Sequence, residues 1–232
     1  MRIQKAISSL LELILLACII PVLLIGGYVV YDAISVRESA SIAVDLVEMA
    51  ENDDGALFER LSLESSAVVG WLKINDTGIN YPVVQGENNS FYLARNYKGE
   101  YATAGSAFLD YRNAADFSDS FSVIYGHRMG YGKMFSDVTK FVQKDYFESH
   151  YDGKLLLRSG KHNLRIAVFA IIKADEEYVY DISAIQDGRA IDYLNSVALY
   201  SREALPGDKY IMLSTCDAND KSLRDVLLIQ VL

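Results

Sequence analysis

The hydropathy of this chain changes character twice. From Leu13 to Tyr31 run 19 residues without a charge, and the stretch from Leu10 to Tyr31 contains only Glu12. At about 1.5 Å rise per residue, a helix of this length crosses the roughly 30 Å hydrocarbon core of a bilayer. Pro21 and the Gly26-Gly27 pair do not count against it, because membrane helices tolerate both residue types. Between Ala40 and Leu63, the residues Ile42, Val44, Leu46, Val47, Leu57, Phe58 and Leu61 recur at largely helical spacings among acidic residues, which predicts one or two helices. Asn52-Asp53-Asp54-Gly55 is the expected break.

After Ala67 the pattern becomes short β-rich runs divided by turn residues. Eight strands are predicted: Val69 to Ile74, Ile79 to Val84, Ser106 to Leu109, Phe121 to Tyr125, Lys154 to Leu157, Leu164 to Ile172, Tyr210 to Leu213 and Val226 to Val231. Regular spacing with turn signals favours a closed barrel or a sandwich. Leu155-Leu156-Leu157 and Leu164-Arg165-Ile166, joined through Ser159-Gly160, have the pattern of a hairpin. Two helical stretches interrupt the strands. Met134, Val138, Phe141 and Val142 mark one; Ile191, Leu194, Val197 and Ala198 mark the other, inside the long connection from Ala174 to Asp208. Long structured connections are often functional, so the second is expected either to wall a substrate site or to cap one barrel end.

Charge orients the chain. Arg2 and Lys5 precede the apolar run and Asp32 follows it, so the positive-inside rule places the N-terminus in the cytoplasm and everything from Asp32 onward outside. A cleaved signal peptide is the competing reading. Its apolar core usually runs only about 7 to 15 residues before a small-x-small site, and Gly26-Gly27-Tyr28-Val29-Val30-Tyr31 offers a poor one. The expected organisation is a cytoplasmic tail (1–9), a membrane anchor (10–31), a juxtamembrane helical segment (32–66) and one extracytoplasmic domain (67–232). The 22 Lys and Arg against 31 Asp and Glu leave a formal net charge of −9, which disfavours nucleic acid as a partner. Gly126, Gly130, Gly132 and Lys133 lack P-loop spacing, and Met134 stands where Ser or Thr is required. Asp217 to Ser222 lacks the central glycine and closing glutamate of a calcium loop, so no metal and no other cofactor is assigned.

Of the two cysteines, Cys18 lies inside the apolar run, which leaves Cys216 as the sole thiol of the outer domain. It ends the strand-like run Tyr210-Ile211-Met212-Leu213-Ser214-Thr215-Cys216, and Arg224 opens the next one, so thiol and guanidinium are expected on neighbouring strands. A buried inert thiol is the alternative for any lone cysteine. A nucleophilic one needs a nearby cation or an acid-base partner. His127 follows the strand Phe121 to Tyr125 through Gly126, where a rigid scaffold presents functional groups. His150 ends the first helical stretch and His162 lies in a hairpin turn, both weaker candidates. The 16 tyrosines read mainly as strand and core residues, although Tyr125, Tyr131, Tyr178 and Tyr180 are placed to line a groove.

Leu213-Ser214-Thr215-Cys216 with a downstream strand arginine, together with Tyr125-Gly126-His127, resembles the active-site signature of the sortases, specifically class B. The likeness extends to Trp71-Leu72-Lys73-Ile74, Ile79-Asn80-Tyr81-Pro82-Val83-Val84-Gln85, Gly105-Ser106-Ala107-Phe108-Leu109-Asp110-Tyr111 and Gly132-Lys133-Met134-Phe135, in order from about Val69 to Leu232. The resemblance implies an eight-stranded β-barrel with N-terminal helices and a helical insert before the cysteine strand. It implies a membrane-anchored transpeptidase on the outer face of a Gram-positive cell, with Cys216 as nucleophile, His127 as general acid and base, and Arg224 as stabiliser of the substrate carbonyl or oxyanion. Ser214, Thr215, Tyr125, Tyr178 and Tyr180 are the candidate substrate-binding residues. The implied partners are secreted proteins with C-terminal sorting signals and an amine acceptor, either a peptidoglycan precursor or a pilin lysine. A class B-like pilin polymerase and an inactive membrane-tethered binding module remain as alternatives. Two positions depart from the family pattern. Asp225 replaces an apolar strand residue, which puts the alternation around Arg224 in question, and Asp217 adjoins the thiol, either as an exposed loop acid or as a charge that disfavours the thiolate.

Overall fold

Each of the eight β-rich runs forms a strand, because its alternating residues find apolar partners on both faces. The computed structural model describes residues 2–181, 187–203, 209–217 and 219–232. The strands are β1 (Val68–Ile74), β2 (Asn80–Gln85), β3 (Ala107–Leu109), β4 (Phe121–Tyr125), β5 (Asp152–Leu157) and β6 (Gly160–Lys173). They are followed by β7 (Tyr200–Ser201), β8 (Tyr210–Cys216) and β9 (Leu223–Val231). Hydrogen bonding runs β5-β1-β2-β3-β4-β8-β9-β6, and β6 pairs back onto β5, so these eight strands close into a barrel. The two-residue β7, which the pattern does not predict, hangs on β6. It is too short to carry a period.

One apolar cluster draws on all eight barrel strands, with Leu72, Val83, Ile124, Phe169, Leu213 and Leu227 among its members, and is therefore the barrel interior. A second covers the outer faces of β4, β6, β8 and β9, and a third covers those of β1, β2 and β3. Burial on both faces explains why several runs read as nearly continuous apolar stretches. Closure leaves no open barrel edge.

The N-terminal region is helical, as its spacing predicts. Helix α1 (Arg2–Ser39) contains Pro21 and continues past Tyr31; within it, Leu11–Ser35 is long and apolar enough to cross a membrane and is not covered by the rest of the chain. Helices α2 (Val44–Glu51) and α3 (Leu57–Ser62) flank the expected break. They bury Leu46, Leu57 and Leu61 against Trp71 of β1, whose indole Nε1 donates to Asn80 Oδ1 at 2.6 Å.

The inserts differ in detail from their predicted spacing. Ser136–Val142 is a 3-10 helix, followed by α4 (Lys144–Ser149). Met134 precedes both in a left-handed conformation, φ 53°. The connection before β8 holds α5 (Glu177–Tyr180) and α6 (Arg189–Ser196). Val197 and Ala198 fall just beyond α6, and parts of this predicted stretch, 182–186 and 204–208, lie outside the described residues. Ala190, Leu194 and Val179 pack onto the outer barrel face beside the cysteine strand.

Candidate active site

Register decides which residues meet. Strand β4 pairs with β8 in parallel, Tyr125 opposite Ser214, so two residues further on His127 and Cys216 emerge side by side. Strand β8 pairs antiparallel with β9, and Cys216 is directly opposite Arg224. Side chains alternate across a strand, and Cys216 and Arg224 share parity with Met212 and Val226 of the outer cluster. Thiol, imidazole and guanidinium thus line one cleft of about 540 Å³ on the outer barrel face, together with Leu93, Tyr125, Tyr180, Ser214 and Thr215.

Local packing holds His127 in place. Its Nε2 lies 2.7 Å from the Leu93 carbonyl oxygen. A carbonyl only accepts, so this contact selects the tautomer with hydrogen on Nε2 and leaves Nδ1 to exchange a proton. Gly126 is required next to it, since a Cβ there would sit 2.6 Å from the Phe135 ring. Gly105 adopts φ +61°, and its Cβ would meet the Leu93 carbonyl at 2.7 Å and the imidazole at 3.1 Å. The Arg224 guanidinium is tied to its own hairpin, donating from Nη1 to the carbonyls of Lys221 and Leu223 at 2.8 Å each.

Beneath these groups lies a polar network centred on Asp110 and Arg112, neither of which has a role assigned from sequence. Asp110, fully buried at the end of β3, accepts from Arg112 Nε and Nη2 at 2.8 and 2.7 Å, from Asn89 at 2.9 Å and from the Tyr125 hydroxyl at 3.0 Å. Burial opposes its ionisation, but the Arg112 guanidinium and these donors outweigh it and hold the carboxyl below the ordinary range. Arg112 also donates to the Tyr180 carbonyl at 2.9 Å, and the Tyr180 hydroxyl is 2.8 Å from Ser214 Oγ. Burial pushes Tyr180 up to about 12, so it stays a neutral hydrogen-bonding group. The only hint in the sequence is a charged pair two residues apart just after a strand.

Tyr178 is placed elsewhere: it is exposed, stacks on Tyr193 with ring centroids 5.4 Å apart, and is not among the residues lining the cleft. Tyr131 is likewise exposed and outside the lining. His150 stacks on Tyr146 and His162 lies in the β5–β6 ladder, so neither reaches the cleft. The alternation around Arg224 is intact, because β9 keeps regular register from Leu223 onward and turns Asp225 to the inner face. Asp217 is half-buried, and its Oδ1 accepts from the backbone N–H groups of Asn219 and Asp220 at 2.7 and 2.9 Å.

The sortase family model, described as a sortase domain, matches residues 72–229. Sortase B of Listeria monocytogenes is 38% identical over 169 residues, 70% of this chain and 68% of its own length. A Streptococcus pyogenes class B sortase involved in pilus biogenesis superposes with a TM-score of 0.69 at 29% identity, covering 77% of this chain and 99% of that one. Sortase B from Bacillus anthracis, solved in complex with AAEK1, superposes with a TM-score of 0.67 at 30% identity over 76% of this chain and 84% of that one. Family model, sequence relatives and barrel agree: the chain belongs to the sortase family, in its class B branch, and is by that membership a cysteine transpeptidase.

Proposed function

We propose that Cys216 is the nucleophile that cleaves a C-terminal sorting signal after threonine, with His127 as general acid and base and Arg224 as the carbonyl and oxyanion stabiliser. The observation that carries this reading is the Cys216–Arg224 cross-strand pair with His127 beside it in one cleft. Cys216 passes its proton to the imidazole of His127, Sγ attacks the threonine carbonyl carbon, and the S–C bond forms as the oxygen takes negative charge. Arg224 donates to that oxygen through a permanently charged fork. The C–N bond then breaks, and His127 delivers a proton to the departing amine. A thioacyl enzyme remains. An incoming amine attacks it and loses a proton to the imidazole, the C–S bond breaks with sulfur leaving as thiolate, and the imidazolium returns that proton to sulfur, which restores the starting state.

Ser214, Thr215, Tyr125 and Tyr180 line the cleft in which the signal would lie, and Tyr178 is outside that lining. The acceptor in this reading is an amine of the peptidoglycan cross-bridge. A pilin lysine is the second reading, favoured by the structural likeness to a Streptococcus pyogenes sortase involved in pilus biogenesis. The N-terminal apolar helix would anchor the enzyme with its N-terminus in the cytoplasm and the barrel outside, facing secreted substrates and their acceptor.

Intact mass of the full-length protein, incubated with sorting-signal peptides, tests the proposal. A thioacyl adduct is expected for the native chain and none for Cys216→Ala. Equal adduct on that variant, or no adduct on the native chain, would falsify the role of this thiol, the second outcome favouring an inactive binding module. Adding glycine oligomers or a pilin domain separates the two acceptors by which of them resolves the adduct.

A further inference from the structure

Each residue assigned a catalytic role is followed directly by a charged one: Arg128 after His127, Asp217 after Cys216 and Asp225 after Arg224. Alternation sends such neighbours to the opposite side of the strand. Thr215 and Asp225 therefore share parity with Leu213 and Leu227 of the barrel interior, and they face each other in the ladder one step from the Cys216–Arg224 pair. Asp225 is only 2% exposed. Among the described residues, its Oδ1 and the Thr215 Oγ1 are buried without a hydrogen-bond partner, and Asp217, two residues past Thr215 and tied by its N–H to the Leu223 carbonyl, shares their side of the ladder and is near enough for its charge to act on Asp225.

Two carboxyl groups can share a hydrogen bond only when one holds the proton. Asp217 is half-buried and its charged form is supported by two backbone N–H groups of its turn, whereas Asp225 is buried, so the shared proton belongs on Asp225. Burial, the Asp217 charge and the hydrogen bond to it raise Asp225 to about 7, against a smaller opposing pull from Arg128. The groups that face Asp225 are Thr215 and Asp217 from β8 and its turn, Arg128 from the loop after β4, and Ile171 of β6, with Lys173 one step further along the same face.

We propose that Asp225 is a positioning residue for the reaction: its protonated carboxyl, hydrogen-bonded to Asp217, clamps the end of β8 to β9 behind the cleft and so holds Cys216 against Arg224. This rests on the catalytic reading above. When Asp225 loses its proton, two adjacent carboxylates repel each other, the clamp opens and the thiol moves away from the guanidinium. An apolar residue at position 225 would pack there but could not tie the turn that carries Asp217.

The test follows the full-length protein in detergent micelles with a sorting-signal peptide, for the native chain, Asp225→Asn, Asp225→Val and Arg128→Gln. Asparagine keeps a donor at every pH. The ratio of Asp225→Asn to native thioacylation rates should be near one at about pH 6 and rise to about threefold by about pH 8.5, with a midpoint near 7. Asp225→Val should be slower than Asp225→Asn by a constant factor at all pH values, and should approach the native rate as pH rises above about 7. Arg128→Gln should move the native inflection to higher pH, because its charge favours the ionised carboxylate. In parallel, the rate at which iodoacetamide alkylates Cys216, read by peptide mass apart from Cys18, should show the same ratio. A pH-independent Asp225→Asn ratio in both readouts would overturn the clamp. An alkylation ratio that rises with pH, with no thioacyl adduct on the native chain, would instead sustain the clamp and overturn the enzymatic reading.

Discussion

Asp110 and Arg112 illustrate how single residues carry this site without touching a reacting atom. A buried carboxylate is tolerated only when paired and hydrogen-bonded, and Asp110 has the Arg112 fork, Asn89 and the Tyr125 hydroxyl. Arg112→Met should therefore cost about 3–5 kcal/mol, because it leaves a buried charge without its partner. Since Asp110 is held below the ordinary carboxylate range, its contribution is present at neutral pH and is lost as pH falls through its lowered value. Thermal unfolding should show a large deficit for the variant at neutral pH that shrinks in acid; an equal deficit at all pH values would mean that packing, and not the charge, is what is lost.

At the scale of elements, helices α2 and α3 behave as part of the barrel's outer wall. Leu46, Leu57 and Leu61 are fully buried against Trp71 and Val84, and the end of α3 is fixed by Glu64. That carboxylate receives Lys98, the Tyr97 hydroxyl and Arg60. Lys98 and Tyr97 are the main cause of its depression to about 2, with Arg60 adding to them against burial. The two cations are more than a third exposed, so solvent screens them and Glu64→Gln should cost only about 1 kcal/mol near neutrality. The loss should be present above the ordinary glutamate pKa and vanish as pH falls through about 2. Urea unfolding at both pH values measures this. A deficit that persisted in strong acid would place the effect in the shape of the amide.

For the whole molecule, one buried acid tilts the pH dependence of stability in the opposite direction. Asp225 keeps its proton in the fold up to about 7, whereas in the unfolded chain it ionises near 4. Its favourable term is complete below the unfolded value and is lost as pH rises through the folded one, on the order of a few kcal/mol across that window. Asp225→Asn should thus be about as stable as the native chain at about pH 4 and progressively more stable up to about pH 8, measured by thermal melts. Parallel melting curves for the two proteins at every pH would contradict the buried carboxyl pair. The same position offers activity and stability two different views of one proton, since the clamp acts on rate and the desolvated charge acts on folding.

Hydropathy and motif are local properties, and what depends on them was legible in the chain: the apolar run of α1, all eight barrel strands, the break at Asn52 to Gly55, and the strand-end positions of Cys216, His127 and Arg224. Their convergence depended on pairing. The parallel β4–β8 register places His127 beside Cys216, and no window of sequence contains both strands. The Asp110–Arg112–Tyr180–Ser214 network, the facing of Asp225 toward Asp217 and the outward turn of Tyr178 share that origin. Each arises from contacts between segments far apart along the chain: Asp110 and Ser214 fall inside family-like blocks and Tyr178 and Tyr180 are candidates by type, but nothing local says which of them meet. The sequence by itself determined which segments must be buried and which side chains were fit for thiol chemistry; only the closed barrel decided which of them share a cleft, because closure alone sets strand order and register.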